Sequence, residues 1–256
     1  MSYGPLHLPP ALDGVNVKFE RANEHILELQ EATAPVLDRA SYRVVPTPIG
    51  PRIVAYRVED LKPVDARWSA IVGDALTNLR ATLDHLARQL FVLDGGQGRA
   101  EVYFPIMKRP RADGGPPRLG DHQVADSLIS HHLDERQPYR DTEPAGHPLA
   151  VLNDLVNRDK HESLILTQGV LAGSSWGLET GAASPQVSVH RGPVVSGTEV
   201  AIFTFAEDVP PEFRPTFDLE LYFADPTVLG PRSALNWLTV IQGYVGSTVN
   251  RFVPFF

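Results

Sequence analysis

The segment Ile71–Phe91 holds the densest group of polar side chains in the chain. Arg80, Asp84 and Arg88 recur at i, i+4 spacing along a predicted helix, and His85 lies beside them. A histidine can exchange protons near neutral pH, and an arginine can stabilise a phosphate. Cleavage of RNA, in which a 2′-hydroxyl attacks the neighbouring phosphate, needs both functions. Arg80 and His85 are therefore candidate catalytic residues, with His85 moving the proton.

A second polar group ends the helix predicted at residues 148–163. Its members are Asn157, Asp159, Lys160 and His161. Cations are favoured at the carboxyl end of a helix, so Lys160 and His161 could act only as a helix cap. The functional alternative is that this group converges with Asn78 and His85 across a helical bundle. The converging residues would then form a polar pocket, with Asp84 supporting the candidate catalytic pair.

The same residues also have a purely structural interpretation. Positions i and i+5 of an ideal helix are separated by about 140°, so Arg80 and His85 reach one phosphate only at the margin of a groove or across a dimer. Buried polar groups must be hydrogen-bonded, and a network of this kind would fix helix packing. The alternative to a ribonuclease is therefore a non-catalytic binding or interaction protein. In it the structural polar network comprises Arg80, Asp84, His85, Lys160 and His161.

Several other kinds of chemistry find no support in the sequence. The chain has no cysteine, which excludes thiolate zinc sites, iron–sulfur clusters and cysteine nucleophiles. No helix has the paired Glu-x-x-His pattern of di-iron bundles, and the adjacent Asp84 and His85 diverge by about 100°. The common nucleotide-binding, serine-hydrolase and zinc-protease motifs do not occur. We expect neither a metal nor a cofactor.

The motifs around both polar groups resemble those of an uncharacterised bacterial family. Members of that family have the pattern GDALHNLRSALDHL, followed by FPI, QPY and a helix end with DKH. The matching residues are Gly73–Leu76, Asn78–Arg80, Leu83–Leu86, Phe104–Ile106, Gln137–Tyr139, Asn157 and Asp159–His161. The pattern differs at Thr77, Arg158 and Glu162. This resemblance implies a shared architecture over residues 19–165 and no particular activity.

The spacing of Arg80 and His85 also resembles that of HEPN (higher eukaryotes and prokaryotes nucleotide-binding) helical domains. Those domains carry an arginine and a histidine separated by four residues, often with a polar residue directly after the arginine, where this chain has Ala81. Many of them are metal-independent endoribonucleases of toxin or defence systems, and their motif lines a cleft between two copies. The resemblance implies RNA as a substrate and a homodimer as the active form.

Apolar periodicity predicts the elements that position these residues. Leu76, Leu79, Leu83, Leu86 and Leu90 form one stripe of the central helix. We predict an α+β fold in which a helical bundle packs with an antiparallel sheet, as a single domain over residues 16–256. The helical core covers 16–163 and 233–252, with bundle helices at 16–34, 66–93, 148–163 and 233–252 and a shorter helix near 124–133.

The strands and loops follow from residue alternation and from proline and glycine. We predict a hairpin at residues 42–58, with its loop at Pro46–Pro51, and an antiparallel meander within 164–223. Residues 1–15 should form an extended arm, with Asn16 capping the first helix and Pro35 near its end. Residues 95–121 should form a long functional or partly disordered loop, whose basic residues could find phosphates.

The overall composition limits location and partners. Of the 256 residues 43% are hydrophobic, and no apolar run reaches the roughly 18 residues needed to span a bilayer. No secretory leader is recognisable, so we expect a cytoplasmic protein without a membrane partner. The net charge of −8 confines any RNA contact to a local patch. The apolar ends at Leu6–Leu12 and Phe252–Phe256 predict self-association, as a symmetric dimer.

Overall fold

The computed structural model describes residues 6–162, 164–170, 184–209, 213–224 and 232–256. Five α-helices and six β-strands lie within these residues, and all of their strand pairs are antiparallel. The predicted α+β class is confirmed. The chain divides into two compact units. Unit 1 comprises Met1–Leu29, Ser69–Leu164 and Leu235–Phe256, and unit 2 comprises Gln30–Trp68 and Ile165–Ala234.

The helices agree closely with the predicted ones. They are α1 (Asp13–Leu37), α2 (Ala66–Leu93), α3 (Ser127–Glu135), α4 (Pro148–His161) and α5 (Ala234–Phe252). All five leucines of the α2 stripe are fully buried. Burial of each leucine stabilises the fold by about 1.5–3 kcal/mol relative to an exposed side chain. This stripe therefore determines which face of α2 turns into the core of unit 1.

The end of α2 follows from two glycines. Gly95 has a φ of +81°, a conformation that glycine adopts without strain. Its amide donates to the carbonyl of Val92 at 3.1 Å, and the amide of Gly96 donates to the carbonyl of Phe91 at 2.8 Å. These are the two hydrogen bonds of a Schellman cap. They end the helix where the long loop begins.

Helix α1 differs from its prediction at both ends. Residues 10–12 form a single 3-10 turn, and α1 begins at Asp13 instead of after Asn16. The reason is that Leu12 and Val15 are buried and extend the apolar stripe by one turn. The predicted extended arm is therefore wrong for residues 10–15, and its residues 1–5 lie outside the described residues. At the other end, α1 continues past Pro35 to Leu37.

The strands form two sheets in unit 2. The first sheet has the order β1-β2-β5-β4 and the second pairs β3 with β6. The bounds are β1 (Arg43–Gly50), β2 (Ile53–Glu59), β3 (Leu166–Val170), β4 (Gln186–Val189), β5 (Glu199–Thr204) and β6 (Leu219–Phe223). The predicted hairpin is present as β1 and β2. The predicted meander is wrong in its pairing because β3 pairs with β6 and not with β4. Residues 171–183 and 210–212 of the predicted sheet region lie outside the described part.

Two prolines of the predicted hairpin loop lie within β1. Pro46 is opposite Tyr56 and Pro48 is opposite Val54, and the turn is reduced to Pro51 and Arg52. Proline has no amide hydrogen, so it fits a strand only where no neighbouring strand needs that donor. β1 is at the edge of its sheet, which satisfies this condition. The prolines therefore do not interrupt the strand, and they protect the edge of the sheet from pairing with a further strand.

Candidate functional site

The long loop between α2 and α3 is closed at its base by one carboxylate. Both oxygens of Asp94 accept from the amide of Ala125, one also accepts from the amide of Asp126, and Nε2 of His122 is 2.7 Å from Oδ2. Burial raises the pKa of Asp94, but the hydrogen bonds from Ala125, Asp126 and His122 outweigh it and hold the pKa below its ordinary value. Residues 95–124 therefore start and finish at the same point.

Arg80 and Asp84 bind this loop through the backbone of Phe104. Nη2 of Arg80 donates to the carbonyl of Phe104 at 2.9 Å, and the amide of Phe104 donates to Oδ1 of Asp84 at 3.0 Å. The two side chains also form an ion pair, in which Nη2 of Arg80 is 2.9 Å from Oδ1 of Asp84. The pair thus satisfies both backbone groups of a buried residue. Its geometry is that of a structural contact between α2 and the loop.

Gln137 binds the backbone of the next residues of the loop in the same way. Its Nε2 donates to the carbonyl of Pro105 at 3.0 Å and to that of Leu133 at 2.9 Å, and its Oε1 accepts from the amide of Met107 at 3.0 Å. The amide of Tyr139 donates to the carbonyl of Met107 at 3.2 Å. Gln137 is fully buried. The segments around Phe104 and Gln137 are therefore bound directly to each other.

His85 lies outside this network. Its side chain is exposed, and it makes no hydrogen bond or ion pair within the described part of the chain. The ring lies against the first turn of α1, where a Cβ on Gly14 would be 2.9 Å from Nδ1 of His85. Asn78 donates to the carbonyl of Asp74 on its own helix, at 2.8 Å. Neither side chain shares a hydrogen bond with Arg80.

The second polar group, at the end of α4, contacts α2 at a position distant from His85. The carboxylate of Asp159 lies against Gly73, where an added Cβ would overlap it. Burial raises the pKa of Asp159, and the charge of Asp74 raises it further. Gly73 and His85 are twelve residues apart, which is about 18 Å along a helix. Asp159 therefore does not reach His85, and the alternative in which Asn157, Asp159, Lys160 and His161 converge with both Asn78 and His85 is wrong for His85. Asn157, Lys160 and His161 are exposed.

Unit 1 contains a solvent-open cavity of about 560 Å³ beside the anchored loop. Four residues of α3 line one side of it, namely Ser127, Ser130, His131 and Asp134. Loop residues Pro110, Gly114, Gly115 and Pro116 line another side, and Tyr139 and Arg140 complete the lining. This volume lies within the range of small-molecule binding sites.

The charged lining groups of the cavity are paired with neighbours. Asp134 accepts from the hydroxyl of Tyr139 and from the guanidinium of Arg140. Burial and the hydrogen bond to Asp134 raise the pKa of Tyr139 to about 12. His131 lies 3.3 Å from Glu135. In contrast, the side chains of Ser127 and Ser130 have no hydrogen-bond partner within the described residues. Two hydroxyl groups are therefore available to a ligand.

Asp94, Gln137 and the cavity residues were not among the residues predicted from sequence as functional. Asp94 had a local signal, because an acidic residue directly after a helix and before two glycines is well placed to bind a returning chain. Phe104 and Gln137 begin the motifs Phe104–Ile106 and Gln137–Tyr139, but the motifs do not show that the two segments meet. The cavity depends on contacts between segments distant in sequence.

Comparisons with known proteins identify no relative. No family model matches the sequence, and no curated protein or solved structure matches the chain. None of the helices within the described ranges has the length and apolar character needed to cross a membrane. Those ranges also contain no group of three or more histidine and acidic side chains arranged to hold a metal ion.

Proposed function

We propose that this protein is a non-catalytic binding protein in which Arg80 and Asp84 are structural. The observation that carries the proposal is that this ion pair binds both the amide and the carbonyl of Phe104. A side-chain pair that satisfies a buried backbone supports the position of a loop. The loop positioned in this way lines the cavity in unit 1. The polar group on α2 would then hold a binding site together without doing chemistry.

The competing proposal is a HEPN-like endoribonuclease that uses Arg80 and His85. The contacts of Arg80 favour the binding protein over the nuclease. Two of its nitrogens are bonded to Asp84 or Phe104, and the third, Nη1, is buried without a partner among the described residues. A phosphate would have to displace the carboxylate of Asp84 to reach this cation. His85, in contrast, is exposed and could reach a substrate, so the test must include it.

The deciding experiment compares wild type with Arg80→Ala and His85→Ala. Each purified protein is incubated with labelled single-stranded RNA with and without a chelator, and its unfolding free energy is measured in urea. We expect no cleavage by any of the three. Arg80→Ala should lower the unfolding free energy by about 2 kcal/mol, since it leaves a buried carbonyl and a carboxylate without their partner. His85→Ala should change it by less than about 0.5 kcal/mol.

Two outcomes of this experiment would contradict the proposed binding function. Chelator-resistant cleavage by wild type that is lost in a folded His85→Ala variant would overturn the proposal in favour of the nuclease. Cleavage abolished by the chelator alone would contradict both proposals and indicate a metal-dependent activity.

Two further expectations belong with this proposal. Self-association as a dimer stays a prediction, although Leu12 and Phe252, which helped to motivate it, are fully buried within their own chain. Light scattering of the purified protein at micromolar concentration tests it, because a stable single-chain mass excludes the dimer. A cytoplasmic location also stays a prediction.

A further inference from the structure

We infer that the cavity beside α3 binds a neutral, hydroxyl-rich small molecule such as a monosaccharide or disaccharide. This inference rests on the proposed binding function and names its ligand class. It starts from the face that α3 presents to the cavity. Ser127, Ser130, His131 and Asp134 follow one another at i, i+3, i+4 and i+7, so they share one side of the helix. The row is about 10 Å long.

The hydrogen-bonding capacity of this row matches hydroxyl groups. A serine hydroxyl donates one hydrogen bond and accepts others, and those of Ser127 and Ser130 are unengaged within the described chain. The carboxylate of Asp134 uses one contact for Tyr139 and one for Arg140. A carboxylate has about four acceptor positions, so two remain for ligand hydroxyls. A ligand with several adjacent hydroxyls can use all three groups together.

The charge balance of the lining favours a neutral ligand over an ionic one. Asp134 is paired with Arg140, and His131 lies beside Glu135. An ion in this open cavity would find no unpaired opposite charge among the lining residues to hold it. A neutral ligand needs no such partner, so neutral sugars should bind more tightly than their acidic or amino derivatives.

The loop residues of the lining suit the apolar faces of such a ligand. Pro110 and Pro116 present aliphatic rings, and Gly114 and Gly115 have no side chain that would keep a ligand at a distance. A sugar ring has hydroxyl groups at its edge and C–H groups on its faces. Its edge would lie along α3 and one face would lie against the prolines.

The test measures sugar binding to the full chain by saturation-transfer NMR and titration calorimetry. The probes are glucose, galactose, mannose, maltose and trehalose, with glucuronate and glucosamine as charged counterparts. We expect saturable binding of at least one neutral sugar at millimolar concentration or below. The double variant Ser127→Ala, Ser130→Ala should bind it at least about tenfold more weakly, because two hydrogen bonds are lost. Ser188→Ala, which removes an exposed serine from β4 in unit 2, is the matched control.

Three results would overturn the inference. They are no binding by any neutral sugar, equal binding by the double variant, and tighter binding of a charged counterpart. The melting temperature of the double variant should equal that of wild type because neither hydroxyl has a partner to lose, so weaker binding cannot be attributed to unfolding. The RNA assay with His85→Ala uses none of these serines. A nuclease result would therefore remove the proposed function, and a failed sugar titration would remove only the ligand class.

Discussion

At the scale of single residues, Gln137 shows how one side chain can replace a strand partner. A glutamine amide has a donor end and an acceptor end, and here they meet the carbonyl of Pro105 and the amide of Met107. The side chain is fully buried, so water cannot take its place. The unfolding free energy should therefore be sensitive to the amide itself and not only to the volume of the residue.

We predict that Gln137→Met lowers the unfolding free energy by about 2–4 kcal/mol. Methionine has a similar size but leaves buried backbone groups without partners, each costing about 1–3 kcal/mol. Urea denaturation measures the change. Gln123→Met is the control, because Gln123 is exposed in the long loop before α3 and the substitution should be nearly neutral. Equal effects of the two substitutions would contradict the role of Gln137.

His147 is a second residue whose hydrogen bonds define its chemical state. Its Nδ1 accepts from the amide of Leu149 at 3.2 Å, so the proton of the neutral ring lies on Nε2, which is 2.9 Å from the hydroxyl of Tyr244. Burial lowers the pKa of His147 below its ordinary value of 6.5. The unfolded chain therefore takes up this proton at a higher pH than the folded chain.

The sign of the pH dependence follows from this difference. The contribution of neutral His147 to the unfolding free energy is complete above its ordinary pKa. It is lost as the pH falls through that value towards the lower pKa of the folded protein. We predict that His147→Asn, which keeps a capping acceptor, flattens the fall in unfolding free energy between about pH 7 and pH 5 by up to about 1.4 kcal/mol per pH unit. Urea titrations of both proteins at each pH measure it. An unchanged slope would show that His147 does not titrate in this range.

At the scale of elements, the local sequence pattern predicted the helices but did not predict which strands pair. The leucine stripe of α2 and the glycines after it are local features, and both were recovered. The pairing of β3 with β6 joins residues 49 to 57 positions apart, from Val170 and Leu219 to Leu166 and Phe223. Alternation within a strand does not identify its partner. The i, i+4 spacing predicted contact between Arg80 and Asp84. It could not show that their common partner is the backbone of Phe104, which lies 24 residues after Arg80.

Within the long loop, two glycines allow conformational strain to be separated from a steric overlap. Gly114 and Gly120 have φ values of +68° and +61°. A Cβ on Gly114 would meet nothing within 4 Å, whereas one on Gly120 would overlap the carbonyl oxygen of Glu101. The two positions therefore share the backbone strain of an alanine and differ in the space available to it.

We predict that Gly114→Ala lowers the unfolding free energy by about 1 kcal/mol, the cost of a left-handed alanine. Gly120→Ala should lower it by about 3 kcal/mol, because the loop backbone must also move. Thermal or urea unfolding of the two variants gives the comparison. Equal losses would mean that residues 101 and 120 separate easily, and would remove the tight packing of this part of the loop.

At the scale of the whole molecule, charge opposes a role in coating RNA. The net charge is −8, and several cations of the basic loop are paired with carboxylates of the same chain. Lys108 is 2.5 Å from Asp154 and Arg111 is 2.5 Å from Asp113. Binding a phosphate backbone requires cations that can exchange their counterions for phosphates. Cations already paired contribute little to this exchange.

We predict that the wild type has no measurable affinity for single-stranded RNA at physiological salt. Fluorescence anisotropy of a labelled oligonucleotide, measured over a range of salt concentrations, tests this. Only a weak signal that disappears as salt rises is expected. Micromolar binding that persists at physiological salt, and that weakens in Arg109→Ala, would contradict the charge argument and restore the basic loop as an RNA contact.

The segment Phe104–Met107, whose backbone is bound by Arg80, Asp84 and Gln137, has a consequence for evolution and design. The side chains of Arg80, Asp84 and Gln137 already bind the donors and acceptors there, so an additional donor would need another partner. Pro105 is buried and has no amide hydrogen. Any other residue at this position would add a donor that must find its own acceptor. The proline thus reduces the number of side chains that the surrounding helices must supply.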